Sequence, residues 1–112
     1  MAQRKIIFYK NYFSEFFGTL DDKVKRKVSQ VLVWLQTIDY LPVSILKSIE
    51  GVTGLFEIRI VFSSNIYRIF CCFDEGNLVV LLNAFQKKTQ KTPQREIDMA
   101  SRLMNEYFNN KK

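Results

Sequence analysis

The stretch GLFEIRIVFSSNIYRIFCCFDEGNLVVLLNAFQKKTQK, residues 54–91, decides the fold. Three runs rich in β-branched and aromatic residues, 55–62, 66–73 and 78–85, are separated by the polar clusters 63–65 (SSN) and 74–77 (DEGN). Such runs favour strands, and such clusters favour turns. The stretch therefore predicts a three-stranded antiparallel meander. Its last strand is apolar on both faces apart from Asn83, which indicates a central strand that is buried on both sides.

Basic side chains mark one part of this meander. Arg59 and Arg68 lie inside the first two strands, and Lys87, Lys88 and Lys91 follow the third. A folded meander can gather these cations on one surface, where they would attract a polyanion. Arg68 is the most informative of them, because it alternates with apolar residues and must find an anion or reach solvent.

The N-terminal part of the chain predicts one more strand and two helices. Residues 5–9 (KIIFY) are β-branched and aromatic, which favours a short strand. Apolar residues recur at helical spacing over 12–20 and again over 24–35, and Asp21 and Asp22 stand where they can cap the second helix. Two consecutive helices form a hairpin whose apolar stripes need a sheet face to cover. The segment 44–50 (SILKSIE) is ambiguous between a strand and an irregular edge.

The residues after the meander predict a C-terminal helix. Thr92 is expected as its N-cap and Pro93 as its first residue, and apolar residues then recur at helical spacing as far as Phe108. The whole pattern predicts a single α+β domain over residues 1–112. Its sheet is expected to be predominantly antiparallel, with about four strands, and to pack against the N-terminal helical hairpin.

Composition limits the chemistry that this chain can perform. The 112 residues carry a formal net charge of +6, which favours a polyanionic partner, either nucleic acid or an acidic protein segment. The chain has no histidine and no CxxC spacing, which excludes the usual zinc sites and catalytic triads with a histidine base. We therefore expect no metal and no cofactor. No window approaches the roughly 18 apolar residues of a membrane span, so the protein is expected to be soluble and cytoplasmic.

The sequence also resembles a known family. The pattern GLFEIRIVFSSNIYRIFCCF, then an acidic turn, then LVVLLNAFQKKTQKTPQREIDMA, is similar to the RelE/HigB-type toxins of bacterial type II toxin–antitoxin modules. It looks closest to the phage-derived HigB-like branch of the RelE/ParE superfamily, in which a strand ending in F-x-K-K precedes a helix opened by T-P. The resemblance implies a small RelE-like fold, a cognate antitoxin, expected to be a helix-turn-helix protein, and ribosome-dependent cleavage of mRNA.

The resemblance implies a set of catalytic residues as well. Arg59 and Arg68 match basic strand residues of such toxins, and Lys87 or Lys88 matches the basic residue beyond the last strand. The implied enzyme is a metal-independent endoribonuclease. Attack by the RNA's own 2′-hydroxyl needs in-line geometry, proton transfer and stabilisation of developing charge. Guanidinium groups suit the last task, and a lysine can transfer a proton as an acid, or as a base where neighbouring cations lower its pKa.

Two positions depart from the family's pattern. RelE-like toxins often carry a lysine where this chain has Glu57, and their C-terminal tyrosine has only Tyr107 as a counterpart. Glu57 is a possible general base, and an ion pair across the sheet is its alternative role.

Further basic residues are predicted to contact RNA, with simple solvation as the alternative for those on the second helix. These residues are Lys25, Lys27, Lys91 and Arg95.

Two other functions stay open from the sequence. The first is a ParE-like gyrase inhibitor, which shares the scaffold without the nuclease residues. The second is a non-catalytic relic that binds nucleic acid or an antitoxin.

Overall fold

The computed structural model describes residues 3–88 and 92–111. This part of the chain contains five strands and three helices. In chain order they are β1 Lys5–Phe8, α1 Tyr12–Gly18, α2 Asp22–Thr37, β2 Leu46–Ser48, β3 Phe56–Phe62, β4 Asn65–Asp74, β5 Leu78–Lys87 and α3 Gln94–Asn110. The predicted meander, helical hairpin and C-terminal helix are all present. None of the helices in the described ranges is long and apolar enough to cross a membrane.

The strands form one mixed sheet in the order β1-β5-β4-β3-β2. β3, β4 and β5 are the predicted antiparallel meander. The expectation of about four strands was one short, because the ambiguous segment supplies β2, which pairs with β3 at the edge of the sheet. β1 pairs with β5 in parallel, so the sheet is antiparallel everywhere except along this pair.

A β-bulge interrupts the pairing of β4 with β5. Ile69 stands opposite Ala84 and Cys71 opposite Leu81, so two residues of β5 face one residue of β4. A bulge of this kind shifts the register by one residue and reverses which side chains point to which face. Beyond the bulge, Ile66 is paired with Lys87.

The helical hairpin covers one face of the sheet. In α2 the side chains of Val24, Val28, Val31 and Leu35 are buried, as their spacing predicts. Asp21 caps this helix, since its side chain accepts a hydrogen bond of 3.0 Å from the backbone N–H of Val24. The hairpin therefore forms a support layer, with its basic residues largely on the outer surface.

α3 covers the opposite face of the sheet. Its buried residues Ala100, Leu103 and Met104 pack in one cluster with residues of β4 and β5, among them Phe70 and Leu82. Asn83, one of the two bulge residues, donates hydrogen bonds of 3.2 Å from its amide to the backbone oxygen and to Oε1 of Glu96. The bulge thus also ties the first turn of α3 to the sheet.

The start of α3 differs from the prediction. The helix begins at Gln94, Pro93 occupies the N-cap position, and no side chain caps the helix. Thr92, the predicted cap, instead donates a hydrogen bond of 3.3 Å from its hydroxyl to Oε2 of Glu57 on β3. A buried carboxylate in reach is a better acceptor for this hydroxyl than an exposed helix end that water can satisfy.

The far end of α3 is fixed by a polar cluster. The Tyr107 hydroxyl and the Lys111 ammonium each donate a hydrogen bond of 2.7 Å to Oδ2 of Asp74, at the end of β4. These bonds, with that of Lys111 the strongest, lower the pKa of Asp74 to about 2. The same contact raises the pKa of Tyr107 to about 12. The cluster fastens α3 to the turn between β4 and β5.

Candidate active site

A pocket of about 360 Å³ lies between the start of β3 and the end of β5, and it crosses the strands diagonally. Charged side chains from four strands line it, together with residues that follow β2 and residues at the start of α3. The lining residues are Lys47, Ser48, Ile49, Glu50, Glu57, Arg68, Lys87, Thr92 and Ile97. The pocket lies on the face of the sheet that α3 covers.

Strand pairing explains why these residues meet. Lys47 of β2 lies directly opposite Glu57 of β3. Arg68 of β4 shares a face with Ile66 two residues earlier, and Ile66 is paired with Lys87. Without the bulge in β5, the register would place Gln86 opposite Ile66 and turn Lys87 to the hairpin face. The bulge therefore brings Lys87 to Arg68.

Arg68 and Glu57 form a buried ion pair at the base of the pocket. The Arg68 guanidinium donates from Nη1 to Oε1 of Glu57, and the two residues are only 8% and 2% exposed. Arg68 alternates with apolar residues in β4 and therefore needs an anion, and Glu57 is that anion. With Thr92 on its second oxygen, both carboxylate oxygens are engaged. Nε of Arg68 is buried without a hydrogen-bond partner among the described residues.

The residues around Lys87 change the pKa of its ammonium. Its pKa is lowered, first by partial burial and then by the neighbouring charge of Arg68, while Glu57 opposes the shift. Arg59 and Lys47 add to the lowering. A lysine ammonium that is desolvated and crowded by cations gives up its proton more readily.

Arg59 lies beside this pocket rather than in its lining. It is paired with Arg68 across β3 and β4, and it lines a neighbouring groove of about 190 Å³ together with Lys27 and Trp34. Its charge still reaches the pocket, as its effect on the pKa of Lys87 indicates.

Lys88 and Arg95 line another cavity, of about 300 Å³, with Phe85, Pro93 and Glu96. Lys88 is the first residue after β5 and does not line the pocket that holds Arg68. Arg95 is largely exposed and lies 4.0 Å from the Glu96 carboxylate. Lys91, the other predicted RNA contact near this strand end, lies outside the described residues.

The sequence of this chain matches a known protein family over most of its length. Residues 15–105 match the family described as phage-derived protein Gp49-like (DUF891). The chain belongs to the Gp49-like family. That family is part of the RelE-type toxin superfamily and is associated with toxin–antitoxin systems. A comparison with curated proteins finds no match.

In this Gp49-like protein, Lys25 and Lys27 occupy the hairpin layer, away from the pocket. Lys25 Nζ lies 5.7 Å from the centre of the Phe17 ring, and Lys27 Nζ lies 5.3 Å from that of Trp34. Contacts of this kind are cation–π interactions. Lys27 also lines a shallow groove with Lys23 and Arg26.

Tyr107 of the Gp49-like chain is not part of the pocket. Its hydroxyl is bound to Asp74, six residues along β4 from Arg68. Six residues of strand span about 20 Å. Tyr107 therefore cannot take the place of the C-terminal tyrosine of RelE-like toxins at this site.

Sequence reasoning did not assign Lys47 or Thr92 to the site, although both line the pocket. Lys47 lies in the ambiguous segment, and only its pairing with Glu57 reveals its position. Thr92 was assigned to the helix cap. Among residues 3–88 and 92–111, no group of three or more His, Cys, Asp or Glu side chains is placed to hold a metal ion.

Proposed function

We propose that this protein is the toxin of a type II toxin–antitoxin module and that it cleaves mRNA on the ribosome. The observation that supports this proposal best is the row of Glu57, Arg68 and Lys87 on three adjacent strands, all lining one pocket. The row offers a carboxylate, a guanidinium and an ammonium with a lowered pKa. These are the groups that cleavage of a phosphodiester by its own 2′-hydroxyl requires.

Each group has a distinct task in the proposed reaction. The 2′-oxygen attacks the adjacent phosphorus, the bond from phosphorus to the 5′-oxygen breaks, and a 2′,3′-cyclic phosphate and a 5′-hydroxyl are left. Oε2 of Glu57 takes the proton of the 2′-hydroxyl once substrate displaces Thr92, and Lys87 gives a proton to the 5′-oxygen. Arg68, held through Oε1 of Glu57, stabilises the charge that develops on the phosphate oxygens. Arg59 adds positive potential from the neighbouring groove.

Dependence on the ribosome fits the burial of this machinery. Arg68 and Glu57 are almost inaccessible in the free protein, so a flexible RNA has to be held in line before these groups can act on it. A ribosome that fixes the mRNA in one conformation would hold the RNA in line in this way. We further propose that the antitoxin is a helix-turn-helix protein.

The test is primer extension on a defined mRNA with purified protein, with and without programmed ribosomes. We expect cuts only with ribosomes, and a loss of about 100-fold or more in the variants Arg68→Ala and Lys87→Ala. Arg102→Ala serves as the matched control, because it removes an exposed guanidinium of α3 that pairs with Glu106 at 2.8 Å. This control should cut as the wild type does.

Arg68→Ala leaves Glu57 buried without its cation, which can destabilise a protein by about 3–5 kcal/mol. The double variant Glu57→Gln, Arg68→Gln avoids that lone charge and shows whether lost cutting reflects lost chemistry or lost folding. Thermal unfolding of each variant accompanies the assay. Full cutting by a folded Arg68 variant would contradict the assignment.

The buried ion pair also supports one rival function, a non-catalytic toxin relic, because a neutralised arginine can be purely structural. That function predicts no cuts under any condition and no growth arrest on expression without antitoxin. A DNA-damage response with intact mRNA would instead support the gyrase inhibitor.

A further inference from the structure

Lys47 is the one lysine that β2 contributes to the pocket, and it is exposed. The pocket contains a second ammonium, that of the partly buried Lys87 on β5, three strands away with β3 and β4 between. Between them lies the pair of Arg68 and Glu57, whose opposite charges largely compensate each other. The positive potential that a phosphate meets therefore comes from the two lysines, and the exposed carboxylate of Glu50 in the same lining offsets part of it.

Lys47 is also uncommitted within the described part of the chain. No hydrogen bond or ion pair there engages its ammonium, whereas Lys10 and Lys111 each bind a carboxylate. Glu57, its direct partner in the pairing of β2 with β3, gives its two oxygens to Arg68 and Thr92 instead. A lysine that lies opposite a carboxylate yet does not bind it remains available for an external anion.

We propose that Lys47 is a substrate-binding residue, and that it and Lys87 together bind one phosphate of the RNA backbone above the Arg68–Glu57 pair. This inference rests on the proposed function and names a further residue of its site. Lysine suits such a contact, because a compact charge on a flexible stem can follow the phosphate as it moves toward reaction. β2 therefore has a role in the site beyond protecting the edge of the sheet.

The closing experiment separates binding from cleavage. The probe is a trinucleotide of 2′-O-methyl RNA, which has no attacking hydroxyl and so cannot be cut. Titration of the free protein is followed by backbone amide chemical shifts at 50 and 200 mM salt. We expect shifts in β2, at Arg68 and at Lys87, and an affinity lowered about fivefold in Lys47→Ala. Lys47→Arg should retain most of the affinity.

Lys5→Ala is the matched control, since Lys5 is an exposed lysine on β1, at the opposite edge of the same sheet. If Lys47→Ala and Lys5→Ala weaken binding equally, or if the shifts do not include the pocket, the proposal is wrong. It is also wrong if the probe does not bind at all at millimolar concentration. Failure of the proposed function is recognised separately, as wild-type protein that binds the probe at the pocket but does not cut mRNA on ribosomes.

Discussion

At the scale of single residues, the site depends on which of two adjacent lysines enters the pocket. Strand alternation alone assigns Lys87 to the same face as Val79 and Leu81, which pack against the helical hairpin. The bulge in β5 reverses this assignment, because two residues of β5 stand opposite Phe70 alone. Neither composition nor periodicity marks the position of a bulge, so the sequence left Lys87 and Lys88 equivalent. The structure distinguishes them.

We therefore predict that Lys87→Ala lowers the rate of mRNA cleavage on ribosomes by about 10²- to 10⁴-fold, whereas Lys88→Ala changes it less than about threefold. The two variants remove the same charge one residue apart, so each is the control for the other. Equal losses in both would indicate that Lys87 and Lys88 act only by general attraction of RNA.

The pH dependence gives an independent measure of the role of Lys87. As the proton donor, Lys87 must be protonated, so the rate should fall as pH rises through its pKa. That pKa is lowered from the ordinary 10.5, which places the decline at lower pH than an isolated lysine would. Lys47→Ala removes one of the cations that lower the pKa of Lys87, so the fall in rate should move to higher pH. An unchanged profile in Lys47→Ala would contradict this coupling.

At the scale of elements, the sequence was sufficient to predict each long helix and strand. It was not sufficient to predict how the short elements attach to them. The apolar stripes of α2 and α3 and the turns of the meander were sufficient to predict the support layers. β2 was not recognisable, because its three residues carry no periodicity and pair only because β3 offers an open edge. Thr92 was misassigned because a tertiary partner, Glu57, outcompeted the local capping rule.

The attachment of α3 at Asp74 gives a prediction at this scale. The lowered pKa of Asp74 means that its ionised form is favoured in the folded protein. Its contribution to stability is therefore present above the ordinary carboxyl pKa of 3.8 and is lost as pH falls through about 2. We expect Asp74→Asn to unfold at lower urea concentration than wild type at pH 7, and this difference to shrink steadily below about pH 4.

Glu75→Gln is the control for this experiment, since it neutralises the adjacent, exposed carboxylate. It should unfold close to wild type at both pH values. A difference between Asp74→Asn and wild type that persists unchanged at pH 2.5 would show that the Asp74 cluster acts through shape rather than charge.

At the scale of the whole molecule, the two faces of the sheet serve different purposes. The hairpin packs on the face that holds Ile58, Ile69 and Leu81 and supports the sheet from behind. α3 packs on the face that holds the pocket, and its residue Ile97, together with Thr92 just before the helix, lines that pocket. A loss of packing should therefore affect catalysis differently on the two faces, even when the loss of stability is the same.

Leu35→Ala and Leu103→Ala test this division, because both side chains are fully buried, one in each layer. Each should lower the free energy of unfolding by about 2–5 kcal/mol, and the two losses should add within about 0.5 kcal/mol, since the sheet separates the sites. At a temperature where circular dichroism shows both variants folded, Leu103→Ala should lower cleavage about tenfold, because a small displacement of α3 shifts the pocket, while Leu35→Ala stays within about twofold of wild type. Equal activity in the two variants would mean that α3 covers the pocket without positioning it, and the residues that orient Arg68 would then be those of the sheet alone.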